Sequence, residues 1–377
     1  MTFADLGLAQ PLLAALTSLE YTQPTPIQAQ AIPHIMLGRD LQGIAQTGTG
    51  KTAAFALPIM HRLLVDRRAP AKRGARCLVL APTRELANQI AQSFRDYGRQ
   101  TGLRTALMYG GTPKLKQARA VANGIDILVA TPGRLMDHMQ DGAIVLNGVE
   151  VLVLDEADHM LDLGFIVPIR KIAQSIPPTR QTLFFSATMP KEIATLAGQM
   201  LKNPVHVAVN PVATTAERVQ QRVIFVDTAR KRPMLTELLK DSRMSRTLVF
   251  TRTKHGADRV TQHLEAAGLP TAAIHGDKSQ PQRERALQAF KDGRIRVLVA
   301  TDIAARGIDV DGVSHVVNFD LPNVPEAYVH RIGRTARAGQ AGVAISFCDA
   351  SERPHLRGIE KLIGTRLEVD EPVRRAA

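Results

Sequence analysis

Ile127-Leu-Val-Ala-Thr131 returns later in the chain as Val297-Leu-Val-Ala-Thr301, with one β-branched residue exchanged for another. A short apolar run without polar alternation is the pattern of a strand buried on both faces. Leu-Val pairs stand at 78, 128, 248 and 298, so the spacing within the first half is repeated in the second. Echoes that keep register in this way predict a duplicated α/β domain.

Further runs of the same kind are Cys77 to Ala81, Val151 to Leu154, Leu183 to Phe185, Leu248 to Phe250, Val316 to Phe319 and Val343 to Phe347. Longer amphipathic stretches separate them. Ser279 and Pro281 open one helix that Gly293 closes, and Gly268 ends another that starts near Gly256. The expected fold is α/β, with mostly parallel sheets covered by helices on both faces. The first domain is expected over 1–208 and the second over 219–367. Residues 209–218, in a stretch rich in Pro, Ala and Thr, are read as a linker, and 368–377 as a mobile tail. A last amphipathic helix carries Leu356, Ile359, Leu362 and Ile363 on one face.

Composition narrows the function classes. Apolar residues make up 45% and charged residues 22%, which excludes wholesale disorder and fibrous repeats. The net charge of +13 favours a polyanionic partner, nucleic acid ahead of an anionic membrane, and the excess is spread over both halves. Only Cys77 and Cys348 are present, so no disulfide framework is expected and both are read as buried small hydrophobes. Met1 to Gln10 lacks the basic start of a signal peptide, and no apolar run reaches the length of a membrane span. A soluble, cytoplasmic protein is expected. Arg67 to Arg76 holds five basic residues among Pro, Ala and Gly and reads as a solvated loop.

Chemistry enters with Ala45-Gln-Thr47-Gly48-Thr49-Gly50-Lys51-Thr52. Glycines at 48 and 50 let backbone N–H groups close around phosphate oxygens, Lys51 reaches the terminal phosphates, and Thr52 offers a hydroxyl to Mg²⁺. Val151-Leu-Val-Leu-Asp155-Glu156-Ala-Asp158 delivers carboxylates at the end of an apolar strand. Asp155 is placed to hold Mg²⁺ through water, and Glu156 to deprotonate the attacking water. Tyr21 offers an aromatic face, and Gln28 an amide whose donor and acceptor suit an adenine edge. In the second half, Arg331, Arg334 and Arg337 crowd around Gly333 beside His330, with no carboxylate spaced to pair with them along one helix. Such a cluster predicts a bound anion. His and Cys residues nowhere show metal-ligand spacing, so Mg²⁺ carried by the nucleotide is the expected metal.

Taken in order, these segments resemble the DEAD-box family of ATP-dependent RNA helicases, in particular its compact bacterial, RhlE-like members. Pro82-Thr83-Arg84-Glu-Leu-Ala87, Gly110-Gly111, Thr131-Pro-Gly-Arg134 and Ser186-Ala-Thr188 extend the likeness through the first half. Val249-Phe-Thr251, Gln282 with Arg285, Ala300-Thr301-Asp302 through Asp309, and His330 to Arg337 extend it through the second. The resemblance implies two tandem RecA-like domains that close over ATP and RNA. It implies that Tyr21 stacks on adenine, Gln28 hydrogen-bonds it, Asp309 touches the ribose, and Arg334 and Arg337 reach the γ-phosphate. Asp158, Ser186, Thr188 and His330 would couple the nucleotide to RNA. Pro82, Thr83, Arg84, Gly110, Gly111, Thr131, Arg134, Arg285 and Thr301 would follow the RNA backbone. Glu20 departs from the family pattern, which usually has glycine before the aromatic residue.

The expected function is therefore separation of short RNA duplexes, or remodelling of ribonucleoprotein, driven by ATP hydrolysis. An ATP-gated RNA clamp or chaperone and a DNA-directed helicase are the alternatives. Aromatic residues are only 4% with no Trp, so RNA, structured or duplex, should be held through phosphate and sugar without sequence preference. Ribosomal or RNA-decay proteins are partner classes that no residue pattern here selects, and no membrane partner is expected.

Overall fold

The computed structural model describes residues 1–46, 48–209, 219–305, 310, 312–336 and 342–370. The chain divides into two compact units, Met1–Val209 and Asn210–Ala377.

In the first unit the strands are β1 (Leu41–Ile44), β2 (Ala75–Leu80), β3 (Thr105–Met108), β4 (Ile125–Ala130), β5 (Val151–Leu154), β6 (Gln181–Ser186) and β7 (Val205–Ala208). They form one sheet in the order β3-β4-β2-β5-β6-β1-β7, and every neighbouring pair is parallel. Alternate side chains enter two different cores, which is why the runs are apolar throughout. Cys77, Val79, Ile127 and Val129 join one core with Phe55 and Ile90, whereas Leu78, Leu80, Leu128 and Ala130 join the other with Leu135 and Ile169. Phe55 lies 6.2 Å from Phe94 and 5.6 Å from Phe185 between ring centres. Burying each ring contributes about 1.5–3 kcal/mol.

The second unit repeats this plan. Its strands are β8 (Val219–Phe225), β9 (Thr247–Phe250), β10 (Thr271–Ile274), β11 (Val297–Ala300), β12 (His315–Asn318), β13 (Gly342–Cys348) and β14 (Glu368–Val369), all paired in parallel in the order β10-β11-β9-β12-β13-β8-β14. Position for position this matches the first sheet. The Leu-Val echoes fall on equivalent strands, β2 with β9 and β4 with β11. Ser279 caps the helix Gln280–Lys291 through a reciprocal box with Gln282, as its sequence predicts, and the helix Lys254–Ala266 stops just before Gly268 at φ 77°.

Several strands are not evident from apolar runs. β1 contains Gln42 and Gly43, and β8 contains Gln220, Gln221 and Arg222, so polar residues interrupt the pattern. The tail expected to be mobile from residue 368 begins instead as β14, because the backbone of β8 at that edge accepts a further strand. Asp370 N donates to Val223 O at 2.9 Å, and its carboxylate pairs with Arg222 at 3.0 Å. Val209, assigned to the linker, donates to Ile44 O at 3.0 Å; residues 210–218 and 371–377 lie outside the described residues. The basic loop also needs correction at its end. Arg76 belongs to β2, is buried, and pairs with the Glu150 carboxylate at 2.7 Å and with Asp66 O at 2.7 Å.

Candidate nucleotide site and nucleic-acid face

β5, β6 and β1 are neighbours in the first sheet, so their C-terminal ends bring together Asp155, Ser186 and the loop from Ala45 to Lys51. Gly48 and Gly50 adopt φ of 86° and 94°, a region that glycine enters without a Cβ clash. At Gly50 the space is also taken, since a Cβ would meet Gln28 Nε2 and lie 2.9 Å from Thr25 Oγ1. Buried Lys51, the first residue of the helix Lys51–Val65, donates to Ala45 O at 2.9 Å and lies 3.9 Å from Asp155 Oδ1. Thr52 follows in the first turn, and Thr49 Oγ1 donates to Gln46 O at 2.8 Å. Thr47 lies outside the described residues.

Gln28 is buried and its amide is engaged within the protein. Its Oε1 accepts from Thr25 N at 2.9 Å, and its Nε2 donates to Gly50 O at 3.1 Å. The residue expected at the adenine edge thus also fastens the Pro24–Pro26 turn to the phosphate loop. Tyr21 is exposed and meets Tyr97 edge-on at 6.2 Å. Glu20 just before it has φ 60°, which accounts physically for glycine as the favoured residue there.

Asp155 is fully enclosed, and burial raises its pKa to about 6, with Lys51 opposing the rise and Glu156 adding to it. Glu156 has φ 54°, a left-handed conformation that is costly for a residue with a side chain. Its N–H donates to Asp155 Oδ1 at 3.0 Å, and its Oε2 lies 3.5 Å from His159 Nδ1. A buried carboxylate whose nearest cation among the described residues is 3.9 Å away has capacity for a divalent ion, so Asp155 fits Mg²⁺ chemistry. In chelator and without nucleotide, Asp155→Asn is expected to raise the melting temperature at pH 7. The wild-type carboxyl group is charged there at a cost that fades as pH falls from about 6 toward 4, where folded protein retains a proton the unfolded chain has released. The gap between the two proteins should close over that interval in thermal melts. A variant no more stable than wild type at pH 7 would contradict the burial argument.

Asp158 joins this acidic turn to Ser186 and Thr188. Its Oδ2 accepts from both Thr188 N and Thr188 Oγ1 at 2.9 Å, and its own N–H donates to Ser186 Oγ at 3.2 Å. Ser186 Oγ donates in turn to Thr188 O at 2.7 Å.

A second grouping forms at the C-terminal ends of β2, β3 and β4. Thr83 caps the helix Arg84–Tyr97 by accepting from Leu86 N at 3.2 Å, placing Pro82, Thr83 and Arg84 at the end of β2. The Arg84 guanidinium lies against Gly110 and Gly111, where a Cβ on Gly111 would strike it. Thr131 N donates to Met108 O at 2.9 Å, and Arg134 Nη1 to Thr112 O at 2.8 Å. The first-unit residues expected along RNA therefore gather on one edge.

In the second unit the arginine cluster divides. Arg331 is buried and needs no external anion. It pairs with Asp302 through two bonds of 2.6 and 2.7 Å and also donates to Asn318 Oδ1 and Asp320 O. Its partner comes from another element, so spacing along one helix could not reveal it. Arg334 Nε donates to His330 O at 3.2 Å. Thr301 N donates to Ile274 O at 3.4 Å, and exposed Arg285 donates to Pro281 O at 3.2 Å. Arg337 and Asp309 lie outside the described residues.

Residues 25–196 match the family model described as DEAD/DEAH box helicase, and residues 230–339 match the helicase conserved C-terminal domain. The DEAD-box ATP-dependent RNA helicase CshA of Bacillus cereus is 43% identical over 98% of this chain and 70% of its own length. ATP-dependent RNA helicase DeaD of Buchnera aphidicola is 43% identical over 99% of this chain and 61% of its own length. Among solved structures, S. cerevisiae Dbp5 bound to RNA and ADP BeF3 is similar with a TM-score of 0.88 and 32% identity, covering 99% of this chain and 96% of that one.

Proposed function

This chain belongs to the DEAD-box family of ATP-dependent RNA helicases, and from that premise we propose how its residues divide the work. It is an ATP-dependent RNA helicase that hydrolyses ATP to act on RNA. Separation of short duplexes and remodelling of ribonucleoprotein through backbone contacts is our specific reading. The observation that carries the assignment of roles is that one short turn holds both ends of the coupling: Asp155 lies 3.9 Å from Lys51, and three residues on Asp158 is hydrogen-bonded to Ser186 and Thr188.

In this reading the backbone from Thr47 to Gly50 cradles the phosphates and Lys51 neutralises their charge. Thr52 and Asp155 hold Mg²⁺, which when bound offsets phosphate charge and polarises the bond to be broken. Glu156 accepts a proton from the attacking water at its carboxylate oxygen. Tyr21 and Gln28 select adenine, and Asp309 holds the ribose. Arg334 and Arg337 stabilise the charge that develops on the γ-phosphate, a contribution of about 10³–10⁵ in rate for arginines of this type. Asp158, Ser186, Thr188 and His330 relay nucleotide state to the RNA face. Pro82, Thr83, Arg84, Gly110, Gly111, Thr131, Arg134, Arg285 and Thr301 contact RNA phosphate and sugar. A first domain that runs through Val209 and a second that begins at 219 belong to the same proposal, as does cytoplasmic residence. The latter is supported by Cys77 and Cys348, both buried as free thiols.

ATP turnover measured on matched RNA and DNA oligonucleotides tests the reading. Strong stimulation by RNA and weak stimulation by DNA is expected, because discrimination rests on the 2′-hydroxyl. Equal stimulation by both polymers would overturn the RNA assignment.

A further inference from the structure

Gln117 lies on the helix Lys114–Val121 and is buried, although nothing in its sequence surroundings marks it out. Its side chain is the centre of a small network under the turn that carries Gly110 and Gly111. Nε2 donates to Tyr109 O at 2.9 Å and makes a short bond to Thr112 Oγ1. Oε1 accepts from His138 Nε2 at 3.0 Å, and Arg134 Nη1 approaches it at 3.4 Å. A glutamine amide has two donor hydrogens and two acceptor lone pairs, and each has a partner here. Chemistry fixes which end is which. A carbonyl such as Tyr109 O can only accept and a guanidinium can only donate, so the amide nitrogen must face the turn and its oxygen must face Arg134 and His138.

The same partners are tied to one another. Arg134 Nη1 also donates to Thr112 O at 2.8 Å, and the Arg84 guanidinium packs on Gly110 and Gly111. Three separate stretches thus meet: the turn after β3, the helix Lys114–Val121 and the helix Pro132–Gln140. The turn itself has little of its own to hold it, since Gly110 and Gly111 supply no side chains and Gly111 sits at φ 79°.

We propose that Gln117 is a positioning residue for RNA, holding the Gly110–Gly111 turn and Arg134 in a single register for successive backbone phosphates. The proposal rests on the assignment of those residues to the RNA face. Gln117 does not touch the polymer; it reduces the conformational freedom that the turn would otherwise lose on binding.

The experiment uses the full chain with Gln117→Leu, which keeps much of the side-chain bulk and removes every polar partner, and with Gln117→Glu, which keeps the acceptors and loses both donors. RNA titrations of ATP turnover should show the RNA concentration for half-maximal stimulation raised about tenfold for Gln117→Leu, as expected when buried hydrogen-bonding groups lose their partner. Turnover at saturating RNA should stay within about twofold, and the KM for ATP should not move, because a positioning defect is overcome by mass action. Gln117→Glu should be impaired as well, since the bonds to Tyr109 O and Thr112 Oγ1 need a donor. Combining Gln117→Leu with Arg134→Ala should weaken RNA less than the two single effects multiplied, because both act through one turn.

An unchanged half-stimulating concentration in folded Gln117→Leu, alongside weakened RNA binding by Arg84→Ala and Arg134→Ala, would overturn the positioning role alone. If Arg84→Ala and Arg134→Ala also left RNA binding untouched, the assignment of the RNA face would fall. Should Gln117→Leu not fold, Gln117→Glu carries the same comparison, and normal RNA affinity in that variant overturns the proposal.

Discussion

Glu156→Gln is expected to lower ATP turnover by about 10²–10⁴-fold, the usual contribution of a positioned general base. Glutamine matches glutamate in shape, so the buried turn should survive, but a neutral amide cannot take a proton from water. Glu156 already sits in a left-handed backbone conformation with φ 54°, next to the carboxylate that receives its N–H. A strained residue retained between the nucleotide loop and the acidic turn is consistent with a chemical role at that position. Nucleotide should still bind the variant, since Lys51 and the phosphate loop are unaltered. Lys51→Ala should differ: it removes charge from the phosphates and leaves Asp155 buried without its neighbouring cation. RNA-stimulated turnover and equilibrium nucleotide binding, measured on both variants, separate these effects. Turnover by Glu156→Gln within tenfold of wild type would remove Glu156 from the mechanism.

Arg331→Met should destabilise the second unit by about 3–5 kcal/mol, the range for breaking a buried ion pair by removing one partner. Arg331 is almost fully buried, and its guanidinium serves Asp302, Asn318 and Asp320 together while lying 5.1 Å from the centre of the Phe250 ring. Methionine fills part of the volume but donates nothing. Asp302 then retains its charge with one side toward the protein, and two acceptors lose their donor. Adding Asp302→Asn should recover part of the loss, because the unpaired negative charge is gone. Urea unfolding of the wild type, both single variants and the pair measures the coupling. A single variant as stable as wild type would show that the guanidinium contributes nothing net.

Much of the nucleotide site is legible along the chain because its parts are local. Gly48, Gly50, Lys51 and Thr52 belong to one loop and helix start, and Asp155 to Asp158 follow a single strand. Arg331 is the contrasting case. The one carboxylate on its helix, Glu326, is not spaced at i−3 or i−4 to pair with it, so a bound anion is the natural expectation, yet its partner lies 29 residues earlier in the chain. Gln28 is intermediate. The type of group is readable from its amide, but its engagement with Gly50 across 22 residues is not. Gln117 has no sequence signal at all, since a glutamine on a mixed helix ordinarily faces water. Strands are not legible where polar residues interrupt the apolar run, as in β1 and β8.

The linear order of residues by itself determined the duplicated α/β architecture and the phosphate chemistry, since strand periodicity, glycine backbone freedom and neighbouring carboxylates are properties of short segments. Tertiary structure alone decided which buried polar groups serve one another: Arg331 with Asp302, Gln28 with Gly50, and Gln117 with the glycine turn and Arg134. Hydrogen bonding depends on distance and direction in space, and folding sets those across separations that no local pattern records.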